Sequence, residues 1–306
     1  MSADISVCNY ENVTKRMTGR YVKYQTYAIL ALTIASIGSL PAAISAAGRR
    51  DCQLPVKNRA ILLDGALVYS SINMNVDADG APASYRIDGL GLSYTCDGVV
   101  ALEGGHVVSP GTPNWQSTCK RAWAEARRSG DYSKVKIFGF AADAHGVPLV
   151  QKEGDPLPGE AFISTTSVQI RDAPPHTQRR YIDSTAIPYI VLPQPVRIRY
   201  HVQDSAVAAV WRPKTGKLAY AVFADTGGHL DEGSVRLHQD LASNPLMGKA
   251  VPRAKRQIQD DVIVVVFPSF RAKPQLDSMR WRAEINRIGS AALAKWGGLE
   301  RLTRCE

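Results

Sequence analysis

The feature that most constrains this chain is a succession of short runs, rich in Val, Ile, Tyr and Phe, that are separated by Gly, Pro or Asp. KVKIFGFAAD (Lys134 to Asp143), AFISTTSVQI (Ala161 to Ile170), IPYIVLP (Ile187 to Pro193), VRIRYHV (Val196 to Val202), AVAAVWR (Ala206 to Arg212), KLAYAVFAD (Lys217 to Asp225) and DVIVVVFPSF (Asp261 to Phe270) each read as a strand. The compact turn PKTGK predicts that two of them, ending at Arg212 and starting at Lys217, form a hairpin with Asp225 at its exit. Helical periodicity is confined to two segments. NWQSTCKRAWAEARRSG places Trp115, Cys119, Ala122 and Ala126 on one face and stops at Gly130. LDSMRWRAEINRIGSAALAKWGG places Trp281, Ile285, Ile288 and Ala292 on one face, with Asp277 as N-cap and Gly297 as the stop. Gly227 to Leu241 starts as a loop and continues into a short helix or strand through SVRLHQDL. The expected fold is a predominantly β, α+β domain with few helices, for which barrel-like closure is one available form.

At 306 residues and 45% hydrophobic, the chain can bury a substantial core within one domain. Its N-terminal part reads differently. Lys15, Arg16, Arg20 and Lys23 precede an uncharged stretch, YAILALTIASIGSLPAAISAAG, and Arg49 and Arg50 follow it. The basic flank, the apolar stretch and the small residues Ser45, Ala46 and Ala47 predict a secretory signal cut near Ala47. An uncleaved inner-membrane anchor is the alternative, since the stretch is just long enough to span a bilayer, although Pro41 favours cleavage. A start at Met17 would shorten the basic flank. Residues 1–47 are thus expected to be signal or anchor and 48–306 the working domain, secreted or periplasmic. Export leaves Cys52, Cys96, Cys119 and Cys305 after Cys8 is lost, an even set with three possible pairings. Cys96 with Cys119 and Cys52 with Cys305 are the preferred pairs, the first closing a modest loop and the second tying the chain ends.

Thirty-seven basic against 28 acidic residues give a net charge of +9, which attracts anionic partners at long range. The same charge, spread along the chain, also fits a solvated basic surface, and no nucleic-acid motif accompanies it; a basic nuclease would rest on charge and clusters such as RAKRQ alone. No HExxH or CxxC pattern supports a zinc site, no GxSxG elbow supports a serine nucleophile, and no glycine loop ends in GK(S/T). NMNVDADG resembles the opening of a calcium loop, but the twelfth position from Asn75 is Arg86, where such a loop needs Glu. Asp77 and Asp79 also suit a turn that bonds to its own backbone. No metal or organic cofactor is expected.

The remaining chemical resource is carboxylates at strand ends and in loops: Asp77, Asp79, Asp183, Asp225, Asp231 and Glu232. Glycoside hydrolysis needs only one protonated carboxyl to donate to the leaving oxygen and one ionised carboxylate to activate water or attack the sugar. The seven positions from Asp225 to Glu232 permit such a pair, because Gly227, Gly228 and Gly233 let the loop fold back. A side chain that caps its own turn is the competing reading of Asp225.

YAVFADTGG followed by EGS, VRLHQDL and SNPL resembles the catalytic region of glycoside hydrolase family 75, the fungal-type chitosanases. NVDADGAPASY, GVPLVQKEGDPLPGEAFISTTS, RYIDSTAIPYIVLP and DDVIVVVFPSF extend the resemblance over about residues 65 to 300. It implies Asp225 as the strand-end acid, Glu232 as the acid of a Glu-x-Ser motif, and Asp183 as support for the cleft. Asp231 stands where the family pattern has Gly, and its charge would raise a neighbouring carboxyl's pKa. Glu232 rather than Asp231 is favoured as proton donor because Gly233 and Ser234 continue the motif. The family is similar to inverting endo-hydrolases, so the resemblance implies Glu232 as general acid, Asp225 as general base, and carboxyl groups roughly 6.5–9.5 Å apart.

Chitosan is polycationic below neutral pH and should be repelled by a chain of this charge, unless Asp77, Asp79, Asp183, Asp225 and Asp231 line a locally acidic cleft that pairs with glucosamine ammonium groups. Peptidoglycan or a uronic-acid glycan would fit the overall charge better. The expectation is therefore a monomeric endo-glycosidase with a polysaccharide partner, touching membrane only through an uncleaved N-terminus. A non-catalytic or peptidoglycan-directed wall-binding protein is the alternative.

Overall fold

The structure is a computed structural model that describes residues 59–304. Cys8, the expected signal or anchor (1–47) and the expected Cys52–Cys305 pair lie outside the described residues. In chain order, β1 (Ala60–Leu63), β2 (Ala66–Ser71) and β3 (Asn75–Asp77) precede β4 (Val99–Glu103), β5 (His106–Val107), α1 (Trp115–Ser129) and β6 (Val135–Ile137). Next come β7 (Tyr189–Val191), α2 (Gln194–Arg199), β8 (Ala206–Arg212), β9 (Lys217–Asp225), β10 (Glu232–Ser234) and α3 (Val235–Asp240). The chain continues through β11 (Leu246–Met247), β12 (Arg253–Ala254), β13 (Val262–Arg271), α4 (Ser278–Trp296) and α5 (Gly298–Thr303).

Eight strands form one mixed sheet in the order β1-β2-β13-β8-β9-β7-β10-β3. The predominantly β, α+β expectation holds, but the barrel-like alternative does not: β1 and β3 are free ends of an open sheet. Their edges are met by other groups instead of by each other. Tyr200 Oη donates to Ala60 O (2.8 Å) and Trp296 Nε1 to Leu63 O (3.1 Å) on one edge. On the other, Met74 and Ile258 exchange two backbone hydrogen bonds of 2.9 Å.

The expected hairpin forms between β8 and β9, pairing Arg212 with Lys217. β8 and the first half of β13 are buried almost throughout, as nearly unbroken runs of Val, Ile and Ala require when both faces of a strand are covered. Helix α4 covers one face. The spacing read from the sequence brings Trp281, Ile285 and Ala292 into the core, and Asp277 Oδ1 caps the start by accepting from Met279 N and Arg280 N. Each fully buried large side chain contributes about 1.5–3 kcal/mol through burial.

A smaller sheet in the order β5-β4-β6 packs with α1 around a second core of Tyr85, Val99, Trp123, Phe140 and Phe162. The expected Cys96–Cys119 disulfide staples it, with the Cα atoms 6.1 Å apart. A loop of this length stabilises by roughly 3 kcal/mol through the unfolded state.

Three strand expectations are corrected. Val196 to Val202 is not a strand: residues 194–199 form α2, because Pro195 pre-sets the first turn, where it removes no needed donor, and Arg197 Nη2 then reaches Asp204 Oδ1 at 2.6 Å. Ala161 to Ile170 is extended but joins the fold through isolated bridges, among them Ala161 to Arg86 and Ser164 to Phe140. Most of its backbone groups pair with scattered backbone partners, such as Phe162 N with Tyr85 O (2.9 Å) and Val168 N with Ala224 O (2.9 Å), and a side chain serves Ser164. Buried Gln178 accepts from Ser164 N (2.8 Å) and donates to Ser164 O (3.1 Å) and Gly80 O (2.8 Å). The run from Lys134 likewise keeps only Val135–Ile137 as regular strand.

Candidate active site

The polar end of the main sheet, where β9, β7, β10 and β3 lie side by side, opens into a cleft of about 960 Å³. Asp77, Asp79, Asp225 and Glu232 all line it. The pairing explains how residues so far apart in sequence meet. β10 runs parallel to β3 with Glu232 opposite Asn75 and Ser234 opposite Asp77, so the alternation of side chains presents Glu232 and Asp77 on one face.

Asp225 ends β9 just after a register shift against β7, where Ile190 pairs with Phe223 but Val191 pairs with Asp225. The extra residue resets the alternation after buried Phe223 and re-aims the carboxylate. Its Oδ1 accepts from Ser167 N (2.9 Å), Ser167 Oγ (2.7 Å) and Thr226 N (2.7 Å). Every hydrogen bond that holds this carboxylate among the described residues thus falls on Oδ1, and Oδ2 is left to the cleft. The turn-capping reading of Asp225 is met in part by the bond from Thr226 N, yet Ser167 is a distant partner in sequence. Burial raises the Asp225 pKa, opposed by the bonds from Ser167 and Thr226.

Glu232 is half-buried, and burial first, then the Asp231 and Asp225 charges, push its pKa up to about 7 against a lowering influence of His229. Gly227 makes room for it. A Cβ there would lie 2.6 Å from Glu232 Oε2 and 2.8 Å from Val191 Cγ1, so any side chain would displace the carboxyl group. Asp77 and Asp79 sit in the expected turn: Asp77 Oδ1 accepts from Asp79 N at 2.8 Å, and Gly80 turns with φ +76°. Tyr85 Oη donates to Asp79 Oδ1 (2.7 Å) and Tyr189 Oη to Asp79 O (2.9 Å). Burial and the neighbouring Asp225 push the Asp77 pKa up, and burial and Asp77 do the same for Asp79. Burial and mutual repulsion raise the proton affinity of all four acids, which favours protonated carboxyl beside carboxylate in the cleft.

The other two candidates lie elsewhere. Asp231 precedes Glu232 by one position and is not among the residues lining the cleft; its Oδ2 accepts from Asn73 Nδ2 at 3.2 Å, while Oδ1 is buried without a partner. Asp183 bonds Thr185 N and Oγ1 through Oδ1 (2.8 and 2.7 Å) and lines a separate cavity of about 370 Å³ with Arg179, Gln178 and Trp281. Among the described residues no three His, Cys, Asp or Glu side chains form a group able to hold a metal ion.

Residues 138–297 match the family described as fungal chitosanase of glycosyl hydrolase group 75. The chain belongs to that family. No curated protein matches the sequence. Membership makes the chain a glycoside hydrolase of chitosanase type with a polysaccharide substrate. The matched span, narrower than the 65 to 300 of the sequence resemblance, contains Ser167, Asp225, Gly227 and Glu232 but not Asp77, Asp79 or Tyr85. Sequence reasoning missed Ser167, Tyr85 and Tyr189, and it read Gly227 only as freeing the loop, not as leaving room for Glu232. Ser167 lies 58 positions from Asp225, and only the strand order brings the two together.

Proposed function

We propose that this chitosanase-family chain is an endo-glycosidase that cuts β-1,4 bonds of a glucosamine-containing polysaccharide by inversion, with Glu232 as general acid and Asp225 as general base. The observation that carries the reading is the contrast between two carboxyl groups in one cleft. Glu232, pushed up to about 7, retains a proton to give to the leaving oxygen, and Asp225 is held by three donors on Oδ1 with Oδ2 open to a water. Ser167 positions the base and stabilises its charged form. In the single displacement, water attacks the anomeric carbon as Asp225 takes its proton, the glycosidic C–O bond breaks, and the Glu232 proton passes to the departing oxygen.

Asp77 and Asp79 line the same cleft and supply negative charge for the amino groups of the sugar, which offsets the repulsion expected from a net charge of +9. Asp183 and Asp231, set apart from the cleft, have no such role. The Cys96–Cys119 disulfide favours an oxidising compartment, in keeping with export through residues 1–47 as signal or anchor and with 48–306 as the catalytic domain. Among the described residues no helix is long and apolar enough to cross a membrane. The net charge favours a second substrate reading, peptidoglycan, for the same carboxylates.

Reducing-end release from chitosan, chitin and peptidoglycan, with Glu232→Gln alongside, tests the proposal. Release from chitosan that the substitution abolishes supports it. Release from peptidoglycan alone keeps the mechanism and changes the substrate, whereas no release from any polymer moves the chain to a binding role.

A further inference from the structure

Phe138 directly follows β6 and is 53% exposed, yet it belongs to a run whose other aromatic, Phe140, is buried in the second core. The backbone accounts for the difference. The amides of Phe138 and Gly139 both donate to Gly98 O, at 2.9 and 3.1 Å, so two residues of this strand oppose one of its neighbour. This doubled pairing is the signature of a β-bulge, which resets the alternation of side chains and is a recurrent way to aim a residue at a site. Phe140 turns inward and stacks on Phe162 with ring centroids 4.8 Å apart, while Phe138 stays outside, on the wall of the cleft that holds Asp77, Asp225 and Glu232.

Among the described residues, the only exposed large apolar side chains that line that cleft are Phe138 and Tyr94. Tyr94 is engaged: Lys255 Nζ lies 4.3 Å and Arg253 Cζ 4.7 Å from its ring centroid. No ring or cation contact engages Phe138 among the described residues, so its face is open to a ligand. Polar side chains line the same cleft, among them Thr165, whose Oγ1 donates to Phe138 O at 3.5 Å, with Thr166, Ser167 and Gln116. An apolar ring in such surroundings gains nothing from water, but it matches the chemistry of a β-linked pyranose. Equatorial substituents leave the axial C–H bonds of that sugar as an apolar face, and the electron-rich face of an aromatic ring attracts C–H groups.

We propose that Phe138 is a sugar-stacking platform, a binding subsite of the cleft that takes the C–H face of a β-1,4-linked aminosugar next to the residues being cut. The ligand class rests on the glycosidase reading above, and the polar side chains would meet the hydroxyl rim of the same sugar. The platform holds substrate and transition state alike, so it acts on KM more than on kcat.

The test uses the β-1,4-linked glucosamine hexasaccharide as probe. In the Glu232→Gln background, which leaves the sugar uncut, Phe138→Ala should weaken calorimetric binding by roughly ten-fold, the scale of one aromatic contact, while Phe138→Trp retains it. In the active protein Phe138→Ala should raise KM by a similar factor with kcat within about two-fold. An exposed side chain contributes little to folding, so the melting temperature should stay within a few degrees. If Phe138→Leu, which keeps apolar bulk without a ring, binds as tightly as the parent, or if Phe138→Ala leaves both binding and KM unchanged, the platform is overturned. A hexasaccharide that binds with this Phe138 dependence but is never cut would overturn the hydrolase mechanism and leave the platform standing. Absence of binding to either background would overturn the platform itself.

Discussion

The centre of the main sheet and its polar end are built from the same kind of strand but to opposite purposes. β8 and β13 pair over most of their length, and Val207, Ala208, Ala209, Val210 and Val265 have no exposed surface. There every burial stabilises and no charge is trapped. Three positions further across the sheet, β10 and β3 are only three residues each, and they carry Glu232 and Asp77 beside Asp225 and Asp79 in partly buried surroundings. Burying several like-charged groups opposes folding, and the raised proton affinity of these acids is the same effect seen from the side of the proton. The contrast teaches that stability is concentrated in one half of the sheet and given up in the other, where burial and like charges push the Glu232 pKa up to about 7.

Substitution of the two halves should separate these properties. Glu232→Gln should show the largest effect, a loss of turnover of about 10²–10⁴-fold, the range a general acid supplies. Its stability should move the other way. The folded Glu232 binds a proton up to about pH 7 against an ordinary 4.5, so the parent loses stability as pH rises from 4.5 through 7, and the variant, with no proton to lose, does not. Melting curves should therefore coincide below pH 4.5 and favour the variant at pH 8. Equal melting temperatures at pH 8 would contradict the electrostatic picture of the cleft. Trp281→Ala tests the other half. Trp281 is fully buried and donates from Nε1 to Ala272 O at 3.1 Å, so its removal should cost about 3–5 kcal/mol in denaturant unfolding while leaving kcat of the folded fraction close to that of the parent.

The same division decides what the sequence could reveal. Val262 to Phe267 and Ala206 to Arg212 announce themselves because burial on both faces demands unbroken apolar runs, and the helix from Ser278 does so through its spacing and its Asp277 cap. Asp225 and Glu232 stood out through their place at strand ends and the family motif, and both line one cleft. Ser167 was not, because its contact with Asp225 depends on the neighbour order of the sheet, and Asp183 looked like a cleft residue although its turn faces another cavity. Strand order is set by packing of the whole chain, which local patterns do not encode. Val196 to Val202 misled for the reverse reason: β-branched residues there suggested a strand, but Pro195 and the Arg197–Asp204 pair favour a helical turn.

Two finer substitutions sharpen the comparison within the polar end. Gly227→Ala would put a methyl group into the space of Glu232 Oε2, so the carboxyl must shift; kcat should fall by roughly ten-fold, a cost consistent with slight misplacement of a catalytic group, with little change in melting temperature. An unchanged kcat in that variant would show that Glu232 is not position-sensitive.

Asp231→Asn should have the smallest effect and the most specific one. Asp231 does not line the cleft, yet after burial its charge is the largest influence raising the Glu232 pKa, ahead of Asp225. The groups facing Glu232 pull in different directions: Asp231 and Asp225 raise its proton affinity, and His229 lowers it. Removing the Asp231 charge should let Glu232 lose its proton at lower pH, so the alkaline limb of kcat/KM moves down by less than about one unit. The acid limb, set by ionisation of Asp225, should stay in place, and KM at pH 5 should not change. A substrate-binding role for Asp231 predicts the opposite pattern, a higher KM at all pH values with both limbs fixed. The two outcomes cannot be confused, because one moves a proton and the other moves a sugar.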